Sequence, residues 1–469
     1  MNMFKQKGFI VAIVASGILL ACASEAPKQS DALNLALGKT EVLPQWSSGF
    51  TAGQFDHQVL GFPIDSQLRA LIQEALSNSP DIRIALARVD QARGVLSATS
   101  GARLPSIGLG AQTGTSTIPT STSAISGEAF IASWEIDLFG KLASASAGSS
   151  ARVKASELDR LYAEQMVAAG VIKSWIAITE AKQQVALSQQ LLSDAQQQYQ
   201  FLQQGLGVGR NSVQDVDTQA ASIDMYQNQL ISYQYQLNQA KRSLEILVGR
   251  YPAAQIDASE SFPNPITEIP AGIPSEIISR RPDVLAAQQR YNASFYDLEE
   301  AKRARLPSIK LVGGVGYIQD SAILLTNGIS NPISSLTGSL FLPLFMGGQL
   351  VAQQDIKTAK QSEVLASYGK ASLNAFNEVE SALDNDLKLK TRQAYLASQT
   401  NNLGRAVEFE KQKFQVGKSD QFQVLQQNIL YNSTKSNLIK LSADRLRNRV
   451  DLHQALGGHF LQEIHSSNE

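Results

Sequence analysis

The segment Ser79-Pro80-Asp81-Ile82 leading to Arg103-Leu104-Pro105-Ser106-Ile107 recurs as Arg281-Pro282-Asp283-Val284 leading to Arg305-Leu306-Pro307-Ser308-Ile309. Pro80 and Pro282 stand 202 positions apart, and so do Pro105 and Pro307. Neither copy has therefore gained or lost a residue between its two prolines. A period this long is not that of a solenoid repeat. It describes two equivalent halves that supply matching parts to one assembly.

Proline placement partitions each half. None occurs between Pro119 and Pro252, and none follows Pro343. Proline costs about 3 kcal/mol inside a helix, so both tracts are free to form long helices, predicted over about 141–206 and 348–415. Before the first tract, Ser79 and Pro80 predict an N-cap with proline at the first helical position. Ile84, Leu86, Val89, Ala92 and Leu96 carry that helix to about Arg103. After Pro105 the period becomes two: Ile107, Leu109, Ala111 and Thr113 alternate with Gly108, Gly110 and Gln112. A Ser/Thr-rich turn around Pro119 leads to a second alternating run, Phe130, Ala132, Trp134, Ile136 and Leu138. The second half repeats the plan with a strand through Ile309, Leu311, Gly313, Val315 and Tyr317, and a partner strand from Leu336 to Phe345. Strands of about 10 to 12 residues have the length that crosses an outer membrane when tilted.

Gly205, Gly207 and Gly209 are expected to break the first long helix, and Val416-Gly417-Lys418-Ser419 to reverse the second. The first return helix begins near Ser212, with a seam of Val213, Val216, Ala220, Ile223, Gln227, Leu230, Gln234, Leu237, Lys241 and Leu244 at spacings of three and four. A narrow seam interrupted by Gln and Lys leaves much wet surface, which suits a hollow tube better than a solid bundle. At about 1.5 Å per residue the helix over 141–206 is roughly 100 Å long, and the short helix 80–103 plus the return helix 211–248 total roughly 93 Å. Two short helices stacked end to end thus match one long helix. Four strands cannot close a barrel, since the smallest membrane barrels have about eight, and lipid does not tolerate an open sheet edge. Other copies must complete the sheet; three would give twelve strands, although this argument alone does not fix the number.

The N-terminus has the charged-then-apolar order of a secretory signal, with Lys5 and Lys7 ahead of an apolar run from Phe9 to Ala21. That run of about 13 residues is short of the ~20 needed to span a bilayer as a helix. Leu19-Leu20-Ala21-Cys22 resembles a bacterial lipobox, in which Cys22 becomes the acylated first residue; ordinary cleavage after Ala23 is the alternative. Cys22 is the single cysteine, which excludes an intrachain disulfide. A formal charge of −1 gives no reason to expect nucleic acid as partner. The expected organisation is a signal peptide (1–21), a lipidated extended segment (22–63), a first repeat (64–262) and a second repeat (263–469). The first holds a β-hairpin at 104–138 and a helical hairpin at 141–249; the second holds a β-hairpin at 306–345, a helical hairpin at 348–457 and a polar tail. The fold class is mainly α with a membrane β-barrel portion.

These features resemble the outer-membrane factor family, the TolC-like ducts of Gram-negative efflux and secretion systems. Arg280-Arg281-Pro282-Asp283-Val284, the two Leu-Pro-Ser-Ile segments and Trp134-Glu135-Ile136-Asp137-Leu138-Phe139-Gly140-Lys141 are similar to motifs of its lipoprotein branch, which serves resistance-nodulation-division drug pumps. The resemblance implies a homotrimer with a twelve-stranded outer-membrane barrel on a twelve-helix periplasmic tunnel. Its implied partners are outer-membrane lipid, a periplasmic adaptor and an inner-membrane resistance-nodulation-division transporter.

The resemblance also assigns sites. Val208-Gly209-Arg210 and Val416-Gly417-Lys418 are adaptor-contacting tips, although glycine at a helix reversal also satisfies a positive φ. Related ducts carry an acidic gate residue where this chain has Gln426, which implies a neutral, apolar gate of Phe422 and Gln426. Asp215, and Asp217 beside it, would be the sources of negative charge there, or part of a solvated helix face. His453, His459 and His465 recur every six residues, which spreads them around a helix and offers no metal site. No nucleophile, base and orienter set or phosphate-cradling glycine loop is present, so an enzyme is not expected. The expected function is a passive efflux duct without a cofactor beyond the lipid on Cys22. A type I protein-secretion duct and an exported coiled-coil scaffold without a pore are the alternatives.

Overall fold

The computed structural model describes residues 25–38, 40, 42–48, 62–118, 121–264, 274–320 and 333–458. The signal peptide, Cys22, Pro119, His459 and His465 lie outside the described residues. The N-terminal helix α1 (Gln29–Leu37) precedes α2 (Ser66–Asn78), α3 (Pro80–Gly101), β1 (Ser106–Ile118), β2 (Ser121–Ile136), α4 (Lys141–Gly207) and α5 (Val213–Leu247). The second half follows as α6 (Pro274–Ile277), α7 (Pro282–Arg303), β3 (Ser308–Asp320), β4 (Ile333–Phe341), α8 (Gln349–Gln415) and α9 (Gln421–Ala455).

Element lengths repeat between the halves. Helices α3 and α7 have 22 residues each, α4 and α8 have 67, and α5 and α9 have 35. From α3 to β1 the offset is 202; from α4 onward it is 208. The second half thus carries six more residues, all between β3 and α8.

Several local expectations need correction. The segment 22–63 is not uniformly extended, because α1 forms within it. Its cap is poor, with Lys28 offering no side-chain bond, so packing sustains it: Ala32 and Leu37 are buried. The Ala36 carbonyl sits where a Cβ on Gly369 would come within 2.6 Å. Ser79 does not cap α3 through its side chain; its buried hydroxyl finds no partner, and only its carbonyl accepts, from Arg83 N–H at 3.2 Å. Helix α4 continues through Gly205 to Gly207, and of the three glycines only Gly209 takes a positive φ, 72°. Strand β4 ends at Phe341 instead of Phe345, since Pro343 cannot donate to a ladder. The buried row of α5 runs through Val216, Gln219, Ser222 and Tyr226, whereas Gln227 and Gln234 of the expected seam face outward.

The chain groups into two compact units. One comprises residues up to 40, 87–158 and 285–371, and contains the sheet. All four strands form one antiparallel sheet in the order β1-β2-β3-β4, so the two hairpins join through β2 and β3. The other unit comprises 41–86, 159–284 and 372–469. Its largest core gathers Leu71 and Ile72 of α2, Val171, Ile172 and Ile176 of α4, Leu244 of α5, and Leu446 and Val450 of α9. A smaller core seats Trp46 among Ile277, Leu383, Leu452 and Leu456. Beside Trp46, Ser47 N–H donates to the Glu380 carboxylate at 2.7 Å and the Ser48 hydroxyl does so at 2.8 Å, fixing the N-terminal segment to α8.

Buried charge within this unit is paired. Arg281 of the Arg-Arg-Pro-Asp-Val motif binds Asp283 at 2.8 Å and Glu378 at 2.6 Å, and donates to the Ala455 carbonyl at 3.3 Å. Glu245, at the end of α5, accepts from the N–H groups of Ala254, Gln255 and Ile256. Burial works against ionisation there, yet these bonds hold the carboxyl below its usual range. Between α8 and α9, Arg449 is 1% exposed and makes a bidentate pair with Asp386 at 2.5 and 2.7 Å.

A buried pair contributes little net stability but is costly to break. Asp386→Ala should lower stability by about 3–5 kcal/mol, whereas joint Asp386→Leu and Arg449→Met should be near neutral. Shifts in the denaturant midpoint of the detergent-solubilised protein check both.

Candidate functional site

The sheet register sorts the strand residues onto two chemically distinct faces. Leu109 pairs with Phe130, Phe130 with Val315, and Val315 with Ser334. Directly paired residues share a face and successive residues alternate, so Ile107, Trp134, Leu311, Leu336 and Leu340 also belong to this apolar face. It is left open, with Leu336 82% exposed. The opposite face carries mostly small or polar residues, Gly108, Gly110, Gly127, Ala129, Gly314, Gly316, Ser335, Thr337 and Ser339, with Ile131, Val312 and Phe341 among them. One apolar and one mainly small or polar face is the pattern of a membrane barrel wall. Among the described residues, no helix is long and apolar enough to cross a membrane.

The Trp134–Lys141 motif builds the passage from strand to helix. Asp137 caps α4, accepting from Leu142 N–H at 3.0 Å and Ala143 N–H at 2.7 Å. Glu135 pairs with Lys141 at 2.5 Å, and Trp134 Nε1 donates to the Arg103 carbonyl at 2.9 Å. The motif is thus explained by its own hydrogen bonds.

At the predicted tips the two helix reversals share one geometry. Gly209 N–H bonds to the Leu206 carbonyl and Arg210 N–H to Gly205; Gly417 N–H bonds to Phe414 and Lys418 N–H to Lys413. Each is a Schellman closure with glycine at a φ of 72° or 73°. Open space surrounds both glycines, and Val208 and Val416 are exposed. The return helices start with equivalent caps. Ser212 and Asp215 form a capping box, and Asp420 accepts from Gln423 N–H at 2.8 Å. The second tip has an added clasp: the Ser419 hydroxyl donates to Glu410, which Lys413 approaches to 3.1 Å. The hydrogen bond from Ser419, with that from Lys413, holds the Glu410 carboxyl below its usual range.

The predicted gate residues are placed as follows. Phe422 and Gln426 lie one turn apart on α9, both exposed on the single chain, while Gln421 and Val424 are buried. Asp215 accepts from the Ser212 N–H at 2.9 Å and hydroxyl at 2.7 Å, so its carboxylate serves the cap. Asp217 is exposed, and His453 is buried on α9. Among the described residues, no group of three or more His, Cys, Asp or Glu side chains is arranged to hold a metal.

Sequence reasoning missed a run of buried amides near the tips. Gln198 donates to Gln421 at 2.9 Å, Gln421 to Gln219 at 3.3 Å, and Gln219 to the Ala195 carbonyl at 2.9 Å. These side chains line a cavity of about 350 Å³ together with Phe201, Phe414, Tyr226 and Asn432. Burial raises the pKa of the Tyr226 hydroxyl, and its hydrogen bond with Asn432 partly offsets this. A seam read one residue earlier, with Gln219 in place of Ala220, would have found the run.

An amphipathic antiparallel sheet continued by 67-residue helices defines a subunit of an outer-membrane channel with a helical duct. The profile of the outer membrane efflux protein family matches residues 71–250 and 273–458, and the chain belongs to that family. It is 29% identical over 408 residues to the cation efflux system protein CusC of Escherichia coli K12, covering 85% of this chain and 88% of CusC. It is 26% identical over 481 residues to the probable outer membrane lipoprotein SilC of Salmonella typhimurium, covering 98% and 100%. The fold matches the open state of the Neisseria gonorrhoeae MtrE outer membrane channel with a TM-score of 0.79 at 22% identity, over 93% of this chain and 98% of that one. The protein is an outer-membrane efflux channel component.

The Glu410 clasp gives a pH dependence. A carboxyl whose folded pKa is depressed adds stability above its unfolded pKa and loses it as pH falls through the folded value. Amide exchange over Val416–Asp420, corrected for intrinsic rate, should therefore rise once pH drops below the ordinary carboxylate range. Glu410→Gln should show the faster exchange already at neutral pH.

Proposed function

We propose that the chain is a passive exit duct for small toxic compounds in a tripartite efflux system, working as a homotrimer. Three four-stranded sheets close a twelve-stranded barrel, with the apolar face toward lipid and the glycine- and serine-rich face toward water. Supporting this is one observation above the rest: a sheet with one strongly apolar face and two edge strands, β1 and β4, that no strand among the described residues pairs with. The two halves act as structural repeats, each supplying one β-hairpin and one helical hairpin. Cys22 carries the lipid, and no other cofactor is needed. A periplasmic adaptor meets the tips at Val208-Gly209-Arg210 and Val416-Gly417-Lys418, and an inner-membrane transporter supplies the energy. The chain performs no catalysis; its work is to seal an aqueous path.

At the periplasmic end, Phe422 and Gln426 form the constriction, apolar and neutral. The uncharged amide of Gln426 supports this, while the Asp215 carboxylate is engaged in the helix cap by Ser212.

The protein reconstituted into liposomes should pass ions; a scaffold without a pore passes none. Trivalent cations should block it weakly, and Gln426→Asp should tighten that block by roughly tenfold or more, the effect of about 1.4 kcal/mol. Strong block of the unaltered channel, lost on changing Gln426, would contradict a neutral ring. In cells, photo-crosslinkers at Arg210 or Lys418 should capture the adaptor; failure at both positions sinks the tip assignment.

A further inference from the structure

At the end of the sheet where the long helices begin, an open hollow of about 540 Å³ is lined by Ser97 and Ser100 of α3, by Arg103, Leu104 and Trp134, and by Asp137. Its apolar side runs onto the open face of the sheet. Leu104 is 67% exposed, and Ile107 and Leu109, which follow it along β1, are 76% and 66% exposed. Trp134 shares their face, and its Nε1 bond to the Arg103 carbonyl at 2.9 Å fixes the indole at the hollow. An indole with a satisfied N–H between an apolar wall and charged groups marks the boundary of a bilayer with water.

The polar side holds two opposite charges apart. Arg103 and Asp137 both line the hollow, yet they do not pair with one another. Among the described residues, the Arg103 guanidinium and the Ser97 hydroxyl have no partner at all. The Asp137 oxygens each accept one backbone N–H, from Leu142 and Ala143, which leaves each with a further lone pair. The second half treats the corresponding positions differently. The offset of 202 carries Ser97, Ser100 and Arg103 to Glu299, Lys302 and Arg305. There Lys302 pairs with Glu299 at 2.8 Å and Arg305 donates to Gln354 at 2.8 Å, so the protein satisfies its own groups.

We propose that the hollow seats the head group of a glycerophospholipid bearing a primary ammonium, such as phosphatidylethanolamine, from the periplasmic leaflet. Its phosphate takes a charge-assisted bond from Arg103 and a hydrogen bond from Ser97. Its ammonium donates to Asp137, and one acyl chain follows Leu104, Ile107 and Leu109. A phosphatidylglycerol head would satisfy Arg103 but bring no cation to Asp137. The proposal rests on the reading above that the apolar face of the sheet lies toward lipid.

The test offers the delipidated full-length protein an equimolar mixture of phosphatidylethanolamine and phosphatidylglycerol in detergent, and counts retained lipid per chain by native mass spectrometry. The ethanolamine lipid should be retained over the glycerol lipid by roughly tenfold, the effect of one charge-assisted hydrogen bond. Arg103→Gln should retain several-fold less of it, whereas Arg305→Gln, which alters the corresponding position of the second half, should retain as much as the unaltered protein. Equal retention of the two lipids, or undiminished retention by Arg103→Gln, overturns the site. Flotation with liposomes is measured alongside: protein that floats without lipid preference overturns this proposal alone, and protein that does not float overturns the membrane-wall reading with it.

Discussion

A backbone amide in hydrocarbon has no water to bond, and the rest of this structure follows from that constraint. Among the described residues, four strands satisfy three ladders and leave β1 and β4 each with one unbonded side. The amphipathic register is useful only once those sides are paired, because the apolar face belongs in lipid. In the proposed homotrimer further copies pair them without a longer chain, and the internal repeat makes the two halves of each copy similar. The long helices inherit that symmetry. Helices α4 and α8 have 67 residues each, and α5 and α9 have 35 each.

Much of this was legible in the residues. Proline-free tracts fixed α4 and α8 to within a residue or two, because nothing inside them interrupts a helix and strong signals bound them: Asp137 with Gly140 at one end, the tip glycines at the other. Alternation after Pro105 and Pro307 predicted the strands. The failures have a common cause. Helix α1 lacks a cap and forms by packing against Gly369, a contact no local pattern announces. Ser79 has the right chemistry for a cap, but its hydroxyl is buried beside Pro80 without a bond. The seam of α5 was displaced because two of its buried positions are an amide, Gln219, and a hydroxyl, Ser222: hydrophobic periodicity passes over Gln219, which its bonds with Gln421 and Ala195 make at home in the interior. Phe422 and Gln426, the proposed gate, stand as an exposed pair on α9.

The halves agree in backbone and differ in chemistry. Gly249 and Gly457 end the return helices with the same closure that Gly209 and Gly417 use at the tips, so all four helix ends employ one device. Between those fixed points the side chains have separated. Glu245 gathers three amides of the following linker, while its counterpart is His453. Asp215 completes a capping box, while its counterpart Gln423 is held only through its backbone by Asp420. Duplication preserved what sets geometry and released what sets local charge.

The glycines of the polar sheet face stand at the lower limit of residue size. At Gly108 and Gly114 a substituent would enter open space, whereas at Gly316 it would fall 2.3 Å from the Glu128 carbonyl. Any exchange at these positions adds atoms and none removes them. Mutational drift at these glycines is thus one-directional: it can add bulk to this face or loosen the sheet, but it can remove none.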